Sequence, residues 1–228
     1  MGEIYLFGIS TTSKRIKSFI QYHKIYNVNG FIVDDEYKST DIYDNTKVFS
    51  ISEFRSIQNY KSLPVFICLA WNRLNEDRKQ VFQKFLGEFN IVNIISPNSI
   101  IRGTIKGINV FVGDYVILET GSIVRDNVYI DHNSFIGTDT LVCEHSYIGA
   151  KSMIAGNDYI GSQSFIGINA VVFDNVKIGE KCIISGGEII KRNVEKYTII
   201  KNVDNRQISI SYPENEIINK LLFSKNVR

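Results

Sequence analysis

From Val112 onward the chain places an aliphatic residue at every sixth position, from Val112, Leu118 and Val124 through Ile130, Ile136, Val142, Ile148 and Ile154 to Ile184 and Ile190, without a slip in register. If about a third of positions were Ile, Leu or Val, fourteen successive hits would arise by chance about once in a few million trials. The residue two before each aliphatic is mostly small or compact, as at Ser122, Ser134, Thr140, Ser146, Ser152 and Ala170, with Asp158 and Glu188 as exceptions. Gly follows the aliphatic at 113, 137, 149, 161, 167 and 179, where a missing Cβ permits a close neighbour. A helix needs a 3.6-residue period and a hairpin sheet needs turn clusters every 8–12 residues, so neither fits. Period six predicts short strands joined by bends and stacked as a solenoid, each coil burying the next.

The first half is patterned differently. Residues 3–10 (EIYLFGIS) read as a buried strand ending near a Gly, and Ser13 to Tyr22 as an amphipathic helix. Strands follow at 28–35 (VNGFIVDD) and 64–71 (PVFICLAW), then a charged helix from Leu74 to Phe89 and a strand from Ile91 to Ile95. Such alternation predicts a small Rossmann-like parallel sheet with its ligand site at the carboxyl ends of the strands. The expected boundaries are 1–95 for this α/β domain, 96–205 for the solenoid and 206–228 for a tail ending in a short helix, Glu214 to Phe223.

The recurring [LIV]-G-x-x-[ST]-x, as in Ile136-Gly137, Ser146-Tyr147-Ile148-Gly149 and Ser164-Phe165-Ile166-Gly167, resembles the hexapeptide-repeat acyltransferases. An α/β domain placed before the repeats is similar to one branch of them, which includes bacterial sialic acid O-acetyltransferases and UDP-4-amino-sugar N-acetyltransferases. Local matches are Gly8-Ile9-Ser10-Thr11-Thr12, Asp34-Asp35, Ala70-Trp71-Asn72, Ser96-Pro97-Asn98-Ser99, Ala155-Gly156-Asn157, Gly167-Ile168-Asn169-Ala170 and Ser185-Gly186-Gly187. The resemblance implies a left-handed parallel β-helix with three hexapeptides per coil, acetyl-CoA as cosubstrate, and a homotrimer with the thioester in a cleft between neighbouring β-helices. It also implies Gly156, Ile168 and Gly186 as backbone contacts to the pantetheine arm, and Ser10, Thr11, Thr12, Asp34, Asp35 and Asn72 as contacts to a sugar nucleotide. The chain departs from the pattern in a first loop poorer in Gly and in Lys201-Asn202-Val203-Asp204-Asn205, where G-x-P-A is usual.

Acyl transfer needs orientation, oxyanion donors and a group to manage the proton of the nucleophile. Histidine suits that last task because its ordinary pKa is about 6.5. His132 stands two past Ile130, in the phase where the resemblance puts the base, whereas His145 is one residue out of phase and beside Glu144. Counting back three hexapeptides from Ala155-Gly156-Asn157 reaches Thr138-Asp139 instead, which leaves Asp139 and an already deprotonated amine. All three stay open at this point, and His23 lies far from the repeats.

Charge and composition narrow the partners. Lys+Arg 26 against Asp+Glu 24 gives a net charge of +2 with no basic block, which disfavours nucleic acid. No apolar run approaches the roughly 20 residues of a membrane span. Cys68, Cys143 and Cys182 are widely spaced and read as buried apolar residues, so neither disulfides nor a metal site are expected. The expectation is a cytoplasmic N-acetyltransferase for a nucleotide-linked amino-dideoxy sugar in O-antigen or lipopolysaccharide biosynthesis. A sugar O-acetyltransferase and a catalytically silent sugar-nucleotide-binding scaffold are the alternatives.

Overall fold

Chain order β1 (Glu3–Phe7), β2 (Asn27–Val33), β3 (Ile42–Tyr43), β4 (Thr46–Ser50), β5 (Pro64–Ile67) and β6 (Asn90–Ile91) becomes the spatial order β3-β4-β2-β1-β5-β6. All neighbours pair in parallel except the edge pair β3–β4, a hairpin turned by Asp44 and Asn45, both with positive φ. Helix α1 (Thr11–Tyr22) starts at Ser10, whose hydroxyl accepts the Ser13 N–H while Ser13 Oγ accepts the Ser10 N–H. Its buried Ile16, Phe19 and Ile20 recur at helical spacing. Helix α2 (Ile51–Arg55) is capped in the same way by Ser50 and Glu53. The strand order reverses between β1 and β5, and Gly8 stands there with φ +106°, where a Cβ would lie 2.9 Å from the Leu69 side chain.

This computed structural model describes residues 1–220. It divides into two compact units, Met1–Ala70 with Gln80–Ile94, and Trp71–Lys79 with the chain from Ile95 onward. The second unit is a parallel β-helix of two-residue strands in register every 18 residues, so Phe111 pairs with Tyr129, Tyr129 with Tyr147, and Tyr147 with Phe165. Three hexapeptides therefore make one coil. The aliphatic of each strand points inward, and Leu118, Val124, Ile130, Ile136, Val142, Ile148, Ile154, Ile160 and Ile166 are wholly buried in the lumen. Hydroxyls two positions earlier line the same interior: Ser134, Ser146, Ser152 and Ser164 donate to the carbonyls of Gly149, Gly161, Gly167 and Gly179.

The coil has three faces. The first carries the outward ladder Phe111, Tyr129, Tyr147 and Phe165, the second Ile117, Phe135, Met153 and Val171, and the third Ile123, Leu141, Tyr159 and Lys177. Corner A joins the first face to the second, corner B the second to the third, and corner C the third to the first. Each corner holds one left-handed residue, among them Asn127, Asn133, Asp139, His145, Lys151 and Asn157. The glycines sit where coils approach most closely: a Cβ on Gly137 would come within 2.4 Å of the Ala155 carbonyl oxygen.

Several expected boundaries are corrected. The strand expected over Ile91 to Ile95 is two strands, β6 in the first sheet and Ile94–Ile95 in the first face of the β-helix, because the chain changes partner sheet at Val92 and Asn93. The repeats begin with that strand, before Val112. The charged helix, α3 (Glu76–Phe85), is shorter than Leu74 to Phe89, since Arg73, Leu74 and Asn75 all have positive φ. At the other end a hairpin of Thr198–Val203 and Arg206–Ser211 extends the first face, and α4 (Glu214–Ile217) packs Ile217 against Leu74, Ile183 and Ile199. Residues 221–223 of the expected last helix lie outside the described residues.

Candidate active site

Residues 18 apart stack, so corner A is a column of Asp114, His132, Ala150, Ile168 and Gly186. Its spacing is held by backbone bonds from Lys151 N to His132 O, Asn169 N to Ala150 O, and Gly187 N to Ile168 O. His132 precedes the left-handed residue Asn133, and its side chain is 30% exposed. Its Nδ1 accepts the Asp114 backbone N–H at 2.8 Å, and its Nε2 lies 3.5 Å from Asp131 Oδ1. The Asp131 carboxylate is itself oriented, Oδ2 accepting the Tyr147 hydroxyl at 2.8 Å and Oδ1 the His132 N–H at 3.0 Å. The Asp114 carboxylate accepts the Ser96 hydroxyl at 2.5 Å. Two coils further along, Ile168 is 59% exposed, and a Cβ on Gly186 in the next coil would lie 3.1 Å from the Ile168 side chain.

Corner C holds His145 differently. Here the histidine itself occupies the left-handed position and is buried. Its Nδ1 contacts Asn127 Nδ2 at 2.9 Å, and Asn127 Oδ1 in turn accepts from Asn109, a polar ladder down the corner. Over it lies Arg78, wholly buried, whose Nη2 reaches the carbonyls of Asn127, His145 and Ser146 at 3.2 Å each while its guanidinium covers the Tyr129 ring at 4.3 Å. Burial, then the charges of Arg78 and Lys79, push the His145 pKa down to about 4. Burial likewise lowers Arg78, to about 10, so it keeps its charge at neutral pH. The shift makes the ring a weak base in this buried setting.

Corner B carries Asp139 and Gly156. Asp139 is exposed and left-handed, and Gly156 N donates to Asp174 Oδ1 at 2.9 Å. The three pantetheine candidates are therefore not one set: Ile168 and Gly186 share corner A with His132, whereas Gly156 stands at corner B with Asp139.

Among the sugar-nucleotide candidates, Ser10, Thr11 and Thr12 form the start of α1 just after the strand-order reversal. Asp34 accepts from Lys84 at 2.5 Å. Asp35 takes both the N–H and the hydroxyl of Ser52, which lower its pKa to about 2 and engage it with the start of α2. Asn72 is exposed and belongs, with Trp71, to the second unit; the Trp71 ring sits 4.8 Å from that of Tyr147. Asp114, Asp131 and Tyr147 around His132, and Arg78 over His145, were missed in the sequence. The 18-residue spacing of Asp114 and His132 is the signal that finds the first of them.

No family model matches the chain, and none of the curated proteins does. Solved structures do. The chain is similar to the perosamine N-acetyltransferase of Caulobacter crescentus in complex with CoA and GDP-perosamine, with TM-score 0.78 and 19% identity over 91% of this chain and 97% of that one. The fold is shared. The acetyltransferase domain of PglB from Neisseria gonorrhoeae matches with TM-score 0.76 and 14% identity over 90% of this chain and 99% of that one. WeeI from Acinetobacter baumannii matches with TM-score 0.76 and 16% identity over 91% of this chain and the whole of that one. At such identities the likeness establishes the architecture: a small parallel α/β sheet followed by a β-helix.

Proposed function

We propose that the chain is an acetyl-CoA-dependent N-acetyltransferase acting on a nucleotide-linked amino-dideoxy sugar, with its reacting centre at corner A of the β-helix. The observation that carries this reading is the corner A column, where a partly exposed histidine between two oriented carboxylates stands in line with Ile168 and Gly186. Ile168 lies two coils and Gly186 three coils from His132, about 10 and about 14 Å at the usual strand spacing, lengths that an extended pantetheine arm spans. The fold supports the reading as well, because the Caulobacter enzyme with this architecture is named as a perosamine N-acetyltransferase complexed with CoA and GDP-perosamine. The start of α1 at the strand-order reversal, with Ser10, Thr11 and Thr12, suits a nucleotide's phosphates, since helix N-termini attract anions.

The chemistry asks little of acid–base groups. A neutral amine attacks the thioester carbonyl, and the protein orients both partners and stabilises the oxyanion. His145 plays no direct part in this, and Asp139 stands at another corner. The working form is a homotrimer: the outward row Ile100, Ile117, Phe135, Met153, Val171 and Ile189 makes the second face apolar, with Ile100, Met153 and Ile189 45%, 52% and 49% exposed. A second and third copy of the chain cover such a face. Among the described residues no helix is long and apolar enough to cross a membrane. We place the enzyme in the cytoplasm, where sugar nucleotides for O-antigen or lipopolysaccharide are made.

The test is release of CoA, with product mass, from acetyl-CoA and a panel of UDP-, dTDP- and GDP-linked 3- and 4-amino-6-deoxy sugars, GDP-perosamine among them. Turnover with a mass gain of one acetyl group on one acceptor is expected. Turnover only on sugar hydroxyls would replace this reading with O-acetylation, and silence on every acceptor would replace it with a binding scaffold. Sedimentation should give three times the 26.0 kDa chain mass.

A further inference from the structure

The segment between β5 and α3 is held in a conformation it does not favour by itself. Arg73, Leu74 and Asn75 have φ of 49°, 52° and 64°, three left-handed residues in succession and none of them glycine. Leu74 and Asn75 are nonetheless wholly buried, and so is Arg78 one turn later. The Asn75 side chain has both Nδ2 and Oδ1 buried without a hydrogen-bond partner among the described residues, and Arg78 Nε and Nη1 are buried in the same state. Backbone conformation and polar satisfaction both work against this segment, and burial has to offset them.

The segment is fastened to the β-helix at three places. Trp71 lies 4.8 Å from the Tyr147 ring and 6.1 Å from that of Phe165. At corner C, Glu76 accepts from Gln163 at 2.6 Å and Arg78 reaches the carbonyls of Asn127, His145 and Ser146. Between them, Leu74 enters one apolar cluster with Ile183, Ile199 and Ile217. Ile183 and Ile199 are paired neighbours on the first face, whereas Ile217 comes from α4, four residues long and too short to persist alone. Ile217 is wholly buried, and Glu214 of the same helix pairs with Lys181 at corner C. The left-handed turn and the tail helix, each unfavourable in isolation, therefore share one apolar anchor.

We propose that α4 is a clasp: docking of Ile217 on Leu74 keeps residues 71–79 strapped over the first face and corner C, and release of α4 lets this strap lift and uncovers His145. Without Ile217 the Leu74 pocket loses a wall, and the segment loses the burial that offsets its backbone. Trp71 then leaves the Tyr147 ring and Arg78 gives up its carbonyls. The coils beneath keep their own aliphatic lumen and stay folded. The device is independent of the reaction the protein performs.

Trp71 is the only tryptophan and reports on the strap directly. In the full chain, Ile217→Asp should move Trp71 emission to longer wavelength and raise its quenching by acrylamide. Amide exchange over residues 71–79 should quicken by at least about tenfold, with exchange over residues 111–172 unchanged. Ile217→Ala, a milder change that tolerates a poorly folding Asp variant, should quicken exchange in the same segment a few fold. Arg73→Gly relieves a left-handed arginine at the cost of one surface ion pair, so adding it to Ile217→Ala should restore protection over residues 71–79. Wild-type emission and exchange at residues 71–79 in the Ile217 variants would overturn the clasp. So would exchange that rises equally along the whole β-helix, or no recovery on adding Arg73→Gly.

Discussion

Corners A and C present the same residue type, thirteen positions apart on one solenoid, in opposite circumstances. Both histidines carry an acceptor Nδ1, yet His132 is partly exposed between two carboxylates while His145 is buried beneath a guanidinium. The backbone makes the difference. At corner C the histidine takes the left-handed slot and its Nδ1 meets the Asn127 side-chain amide; at corner A Asn133 takes that slot, and the residue before it is partly exposed. A one-residue offset in a six-residue repeat thus converts a partly exposed position into a buried one.

The sharpest way to break this contrast is substitution at both corners. His132→Ala should lower kcat by two to three orders of magnitude with a melting temperature close to wild type. His145→Ala should leave kcat within a few fold and lower the melting temperature, because Asn127 loses its partner in a dry site. The reverse pattern in steady-state kinetics and thermal melts would exchange the roles of the two corners.

Arg78 extends the comparison to stability. Arg78→Met leaves three carbonyls at corner C without their shared donor, and a loss of about 3 kcal/mol in denaturant unfolding is expected. The same substitution should raise the His145 pKa from about 4, since Arg78 is one cause of the depression after burial. A depressed histidine contributes stability above pH 6.5 that is lost as pH falls toward 4.

Asp158 works in the opposite sense. It occupies a lumen position where its neighbours are Ser and Thr, its Oδ1 accepts the Val176 N–H at 2.7 Å, and its buried Oδ2 has no partner. Burial raises its pKa to about 6. The protonated form is favoured in the fold, so its contribution declines as pH rises from about 4 through 6. Asp158→Asn should stabilise the protein by about 2 kcal/mol at pH 8 and have little effect at pH 4, as read by denaturant melts at the two pH values. No gain at pH 8 would show that the carboxyl ionises at its ordinary pKa. The smallest effect is expected at Ile168→Ala, where KM for acetyl-CoA should rise a few fold with kcat unchanged; an unchanged KM would remove Ile168 from the thioester path.

The β-helix was legible because each strand is two residues long with a single inward position, so its aliphatics had to recur every six. The first sheet was less so. β4 (TKVFS) begins with two polar residues, and β3 and α2 are only two and five residues long, so none of them makes a full period, although Asp44-Asn45 between two short apolar runs is a hairpin signal. At the site, His132 and His145 were found as residues, but their environments were not. Asp114 contacts His132 across one coil, and Arg78 reaches corner C from 49 to 68 residues away, so neither contact has a local pattern.

The most direct test is long-range ¹H–¹⁵N correlation of the histidine ring nitrogens, followed from pH 8 to pH 4. This account predicts that at pH 8 His132 has a protonated Nε2 and an unprotonated, hydrogen-bonded Nδ1, and that His145 stays neutral until about pH 4. A His132 ring protonated on Nδ1 would contradict the acceptance of the Asp114 N–H by that nitrogen, and a His145 that titrates near 6.5 would erase the distinction between the two corners.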